Sequence, residues 1–299
     1  MSDSMAGLRR QIDNAADLQS VVRTMRALAA SGIGRYERAV TALAEYDQSI
    51  ALALGVCLRA DGTHVPPTAR ADHGQPGAAV VFGSDQGLVG EFNDVVVDAA
   101  IRALAPLPLR PRVWVAGERA SARLIDAGVA VARTYPVPAT VEAIDGLVGR
   151  LQVDMETAAS PAEPSPLLVF HNRPLPGALY QPAVQRLLPL DAAWLSERTA
   201  TPWPTRLPPQ IVGDRTTTLQ ALLRETLYIA LYRACAESLA SENASRLAAM
   251  QRADRSIDES LELLHGQFDR LRQGAIDAEL FDVTAGYESL ALGRPLPGA

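Results

Sequence analysis

AAVVFGSDQGLVGEFN, residues 78–93, decides how the rest of the chain is read. A short apolar run enters a turn carrying glycines at 83, 87 and 90, and a helical stretch follows from about Asn93. Strand, glycine turn and helix start together suggest a phosphate cradle. The spacing does not support one: steps of four and three miss the G-x-G-x-x-G pattern, and the P-loop requires a lysine that this chain lacks. A turn between strand and helix needs glycine for backbone reasons alone, wherever φ is positive or packing is close. Gly83, Gly87, Gly90 and Asn93 are therefore read as a structural turn.

Outward from that turn, strand-like runs at 78–82, 112–116 and 167–171 alternate with helical stretches at 94–104, 118–127 and 140–158. Such alternation implies an α/β fold, a Rossmann-like βαβ domain whose mostly parallel sheet carries helices on its faces. VQRLLPL, 184–190, reads as a further strand at an edge, because Pro182 and Pro189 cannot donate to a ladder. TPWPTRLPPQ, 201–210, reads as a linker.

Proline then sets the organisation, since inside a helix it removes a hydrogen bond and clashes with the preceding turn. All 21 prolines fall within 66–209 or the last five residues. The chain reads as arm (1–60), middle domain with linkers (61–213), arm (214–292) and tail (293–299). In the first arm apolar residues recur in steps of three or four through Leu8, Ile12, Ala15, Leu18, Val22 and Met25 and on to Leu54, a coiled-coil seam with Asp47 as its one polar break. Gly32 and Gly34 weaken it locally by about 1 kcal/mol each against alanine. The second arm opens at Asp214, a suitable N-cap, and repeats the rhythm at Ile257, Leu261, Leu264, Phe268, Leu271 and Ala275. An unbroken helix from 214 to 290 would run about 115 Å at 1.5 Å per residue; a pair of shorter helices folded into a bundle is the other reading of the same period.

Composition narrows the function. A formal charge of −6 argues against nucleic acid as a partner. Every one of the 28 basic residues is arginine, which removes lysine nucleophiles and Schiff bases. Cys57 and Cys235 match no zinc or redox spacing and read as reduced, inert thiols. His64, His73, His171 and His265 are scattered, with no second ligand at metal spacing. Glu91 and Asp94 suit a helix start rather than acid–base work. The start has no apolar signal region and no apolar run is long enough to span a membrane, so a cytosolic or peripheral protein is expected.

Two proline-free arms around a βαβ domain, with GSDQGLVGEFN in its centre, closely resemble the gamma subunit of F-type ATP synthases. The likeness covers nearly the whole chain. Its anchors are Arg9, Ile12, Gln19, Arg23, Met25 and Ala29-Ala30-Ser31 in the first arm, the turn itself, Leu187 to Leu190, and the stretches SLASENASRLAAMQRAD (238–254) and FDRLRQGAIDAEL (268–280). The resemblance implies a non-catalytic rotor without a cofactor: the arms form an antiparallel two-helix coiled coil inside the hexamer of alpha and beta subunits, and the middle domain lies near the epsilon subunit and the membrane ring of c subunits. It also implies a peripheral place on the cytoplasmic face of the bacterial inner membrane. No small-molecule substrate would meet this chain directly.

For individual residues, the likeness places Arg272 and Gln273 at a loop of one beta subunit, where arginine's planar fork suits a carboxylate. Met25 would stand close to the same contact region, and Arg23 and Arg270 count as partner-contact residues with it. Without the resemblance, Arg272 and Gln273 read as a solvated helix face and Met25 as one more seam residue. Gly32 replaces the family's usual basic residue, and Asp269 and Asp277 replace an asparagine and a threonine. The divergence leaves a sodium-linked paralogue open. Two other classes also fit the bare sequence: a free-standing α/β nucleotide-binding enzyme with helical appendages, and a coiled-coil scaffold.

Overall fold

The computed structural model describes residues 2–59, 77–107, 110–158, 166–175, 178–188, 196, 200, 202–207 and 209–292. His64, His73, Pro189, Leu190 and the tail 293–299 lie outside the described residues. In chain order the elements are α1 (Ser2–Arg59), β1 (Ala78–Phe82), α2 (Phe92–Leu104), β2 (Arg112–Ala116), α3 (Glu118–Asp126), β3 (Val131–Tyr135), α4 (Glu142–Ala158), β4 (Leu167–Leu175), β5 (Ala178–Leu188) and α5 (Arg215–Leu292). Both proline-free arms are thus single helices, and the bundle of shorter helices is not formed. The start of α5 follows from its cap. Thr217 donates its main-chain N–H to Asp214 Oδ2 at 2.8 Å, and the Thr217 hydroxyl donates to the same oxygen at 2.6 Å. These bonds hold the Asp214 carboxyl below the usual range.

The chain divides into two compact units, residues 28–249 and residues 1–27 with 250–299. In the larger unit the sheet has the order β3-β2-β1-β4-β5, with β1 pairing in parallel to both β2 and β4. The edge strand β5 runs antiparallel to β4, with register shifts along the pair. α2 and α3 cover one face, where Ala79, Val81, Val97, Leu124 and Phe170 form a core. The other face buries Val80, Phe82, Trp114 and Val169 under α4 and α5, with Tyr36 of α1 in the same cluster. β1 is buried on both faces, which is why AAVVF reads as a continuous apolar run rather than an alternating one.

Within this unit α1 and α5 are antiparallel and their seam carries polar ties. The break at Asp47 is an ion pair, with Arg233 Nη2 at 2.8 Å. Tyr46 donates to Glu225 at 2.6 Å. At Gly32 a Cβ would stand 2.6 Å from Asn243 Oδ1, so any side chain there requires Asn243 to move aside. Cys57 and Cys235 are buried, free thiols. Burial pushes both thiols up, away from the reactive thiolate.

In the smaller unit the two helix segments again run antiparallel: Gln19 meets Asp258 while Arg23, one turn further along α1, meets Asp254, one turn earlier on α5. Ile257, Leu261, Leu264, Phe268, Leu271 and Ala275 are all among the sheltered positions of α5, as the period requires. On α1 the seam departs from the sequence reading at one point. Leu18 is 55% exposed, and Gln19 takes the inward position at 8%. The rhythm permits either residue; the hydrogen bond from Gln19 to Asp258 decides for the amide.

Candidate functional site

In a doubly wound sheet, ligands bind beyond the carboxyl ends of the strands at the point where strand order reverses. Here that point lies between β1 and β4, where the chain leaves β1 towards β2 on one side and returns from β3 to β4 on the other. The glycine turn leaves β1 at this crevice.

Helix α5 fills it. Ser238 donates to the Phe82 carbonyl at the end of β1 at 3.2 Å, and Ser241 donates to the Asn172 carbonyl on β4 at 2.9 Å. One turn further, Ser245 donates to the Val89 carbonyl in the turn itself. Positions 238, 241 and 245 follow the helical period, so one face of α5 reaches both strands and the loop. These side chains are buried, and each hydroxyl satisfies a carbonyl that would otherwise need water or another donor.

Several polar groups at the turn are bonded to protein groups. Ser84 donates its N–H to Asn93 Oδ1 at 2.9 Å, and Asn93 Nδ2 returns a bond to Ser84 Oγ at 2.8 Å. Gly83 N–H goes to the Ala116 carbonyl at 2.7 Å. Asp85 accepts from the Glu118 N–H at the start of α3 at 3.0 Å and from the Val137 N–H at 2.8 Å. Its carboxylate therefore ties two loops to the turn. The crevice is also acidic: Glu242 is buried beside it, and burial raises its carboxyl pKa while the Arg246 guanidinium pulls it back and Asp85 adds a further upward push. Arg246 Nη2 lies 2.6 Å from Glu242 Oε1.

The glycines divide by cause. A Cβ on Gly83 would stand 2.2 Å from the Ala120 Cβ, and one on Gly117 would stand 2.6 Å from Ser84 N with φ at +114°. The Ala120 methyl fixes the first and backbone approach the second. Gly90 has φ of +56°, whereas a Cβ on Gly87 would meet only Arg119 Nη2, at 3.8 Å. Between them Leu88, a residue with a side chain, takes φ of +64°. The glycine spacing at 83–90 does not point to Gly117; its signal is its place between β2 and a helix start, the same context as Gly83.

A second constellation lies on β4 and α5. Glu237 Oε2 is 2.9 Å from His171 Nε2 and 2.9 Å from Arg173 Nε. Burial alone would raise the Glu237 carboxyl, but the His171 and Arg173 bonds outweigh it and hold it below the usual range. His171 thus has an inward carboxylate partner, which the scatter of histidines along the sequence does not reveal.

The expected partner-contact residues all lie in the smaller unit. Arg272 and Gln273 are exposed on α5, and Arg270, also exposed, donates from Nε to the Gly266 carbonyl of its own helix at 3.0 Å. Met25 is half-buried on α1. Arg23 is engaged within the chain, its Nε 3.2 Å from Asp254 Oδ1. Met25 does not join Arg272 and Gln273: the flanking Arg23 and Arg26 both reach Asp254, which lies 18 positions before Arg272 on the same helix. That separation is about 27 Å along the axis at 1.5 Å per residue.

The ATP synthase family model matches residues 4–290. The ATP synthase gamma chain of Syntrophus aciditrophicus is 24% identical, covering 97% of this chain and 99% of its own length. That of a Synechococcus species is 27% identical, over 96% of this chain and all of its own. Among solved structures, a chain of the Euglena gracilis mitochondrial ATP synthase rotor is similar in fold, with a TM-score of 0.62 at 15% identity over 92% of this chain and 100% of that one.

Proposed function

Because the chain belongs to the ATP synthase family, whose model covers nearly all of it, we propose that it works as the non-catalytic gamma subunit of an F-type ATP synthase. It is a central rotor stalk. Its arms, 1–60 and 214–292, act as the shaft inside a hexamer of alpha and beta subunits, and the residues between them meet the epsilon subunit and the ring of c subunits. The chain couples ion flow in the membrane sector to ATP synthesis or hydrolysis in the hexamer. It is held at the cytoplasmic face of the bacterial inner membrane by its partners. Among the described residues no helix is long and apolar enough to cross a membrane.

The observation that carries this reading is the packing of α5 into the crevice between β1 and β4. One helix both packs at the sheet's switch point and continues, unbroken, as a member of the antiparallel pair, which suits a torque-bearing element. Exposed Arg272, with Gln273 beside it, is suited to pair with a carboxylate of a beta subunit, and Met25 and Arg270 face the hexamer at other levels of the shaft.

Reconstitution tests the reading. Co-expressed with alpha, beta and epsilon subunits, the chain should co-purify in one complex that hydrolyses ATP, while the isolated chain neither hydrolyses nor binds ATP. Arg272→Ala should lower ATP synthesis in reconstituted vesicles more than it lowers assembly. ATP binding by the isolated chain that Gly87→Val abolishes would favour the nucleotide-binding enzyme instead.

A further inference from the structure

The backbone passes between the two compact units twice, at 27/28 on α1 and at 249/250 on α5. An apolar seam resists sliding only weakly, because hydrophobic contact has no preferred direction. A polar group placed in a seam is the established means of fixing register.

Four residues beyond the second passage, Asp254 stands in the seam of the smaller unit with its side chain 10% exposed. Each of its oxygens has its own guanidinium from α1: Oδ1 lies 3.2 Å from Arg23 Nε, and Oδ2 lies 2.6 Å from Arg26 Nη1. One turn on, Asp258 Oδ1 accepts from the Gln19 amide and lies 3.7 Å from Arg23 Nη2, so Arg23 spans two acids. Val22, next to Arg23 on α1, is buried in the same unit. Sliding α1 by one residue, or rotating it about its axis, would pull both guanidiniums from a carboxylate largely removed from water. Such a loss is costly because the charge left behind cannot be resolvated.

We infer that Asp254 is a positioning residue for coupling: through Arg23 and Arg26 it locks the axial register of α1 on α5, so that both helices turn as one. The inference rests on the rotor reading above.

The test uses the assembled complex in vesicles with Asp254→Ala, Asp254→Asn and Asp254→Glu. ATP hydrolysis should stay within about twofold of wild type in all three, while ions pumped per ATP hydrolysed fall about threefold or more in the alanine and asparagine variants and largely recover in the glutamate variant, which keeps the charge. Unchanged pumping per ATP, or a glutamate variant no better than the asparagine one, would overturn the inference. A second readout needs no other subunit: the spin-label distance between Leu18→Cys and Leu263→Cys, two exposed positions of the smaller unit, in the full chain with Cys57 and Cys235 replaced by serine. Asp254→Ala should broaden or displace that distance, and an unchanged distribution would overturn the lock even where the variant complex fails to assemble. Failure of the rotor reading would show differently, as a wild-type chain that does not assemble with alpha and beta subunits.

Discussion

Gly83 and Ala120 meet so closely that a Cβ on the glycine would stand 2.2 Å from the alanine Cβ, which joins the exit of β1 to the first turn of α3 with no room for a methyl. Gly83→Ala should therefore destabilise the protein through overpacking, by about 1–3 kcal/mol. Urea unfolding checks this as a lower midpoint at unchanged slope. A variant as stable as wild type would mean that the junction is looser than its geometry indicates.

The serine face of α5 makes a second prediction. Ser241→Ala removes a donor from the buried Asn172 carbonyl and should cost about 1 kcal/mol. Amide exchange should quicken at the end of β4 nearest α5 and stay unchanged in α2. Equal exchange in the two places would show that the hydroxyl holds nothing down.

Glu237 sets a pH dependence of definite sign. Its carboxyl is held below the usual range by His171 and Arg173 against the upward push of burial. A group depressed in the folded state contributes fully above its unfolded value, about pH 4.3, and the contribution fades as pH falls through the folded value. The stability gap between wild type and Glu237→Gln should be wide near pH 6 and narrow towards about pH 3. Denaturant titration at the two pH values measures it, and a gap that widens on acidification would contradict the assignment.

Leu264 lies on the sheltered side of α5 in the smaller unit. Leu264→Pro removes an intrahelical bond and clashes with the preceding turn, at about 3 kcal/mol or more. Far-UV circular dichroism should lose helix signal, and heating should melt the altered segment ahead of the rest. Wild-type helicity in this variant would place a break in α5 near that residue already.

Much of this architecture was legible in the sequence, for identifiable reasons. β1 and β2 are bounded by turn residues and buried on both faces, so their apolar runs coincide with the strands. The α5 seam follows its period because packing against α1 gives that period its cause. β3 is the strand the alternation did not disclose: VARTY lies at the edge of the sheet, with its central residues exposed and little apolar signal. On α1, Leu18 and Gln19 are neighbours that period alone cannot rank, and only the partner Asp258 makes the amide the inward residue.

The functional features were harder to read than the fold. Ser238, Ser241 and Ser245 sit within a stretch that carries the family likeness, yet a hydroxyl has the same letter whether it faces water or a strand's carbonyl. Asp254, in QRADRSIDES, reads as one acid on a solvated face; its burial exists only once α1 lies alongside. The spacing at 83–90 gives a reason to read the turn as structural, while the cause of Gly83, contact with Ala120, depends on a residue far along the chain.

Rotation itself is the most direct test of the central claim. Val153→Cys, an exposed site on α4, can carry a bead while the alpha and beta subunits of the assembled complex are fixed to a surface. On addition of ATP the bead should turn in one direction, and it should stop when ATP is exhausted. A complex that hydrolyses ATP at full rate while the bead only fluctuates in place would contradict the assignment of this chain as the turning shaft.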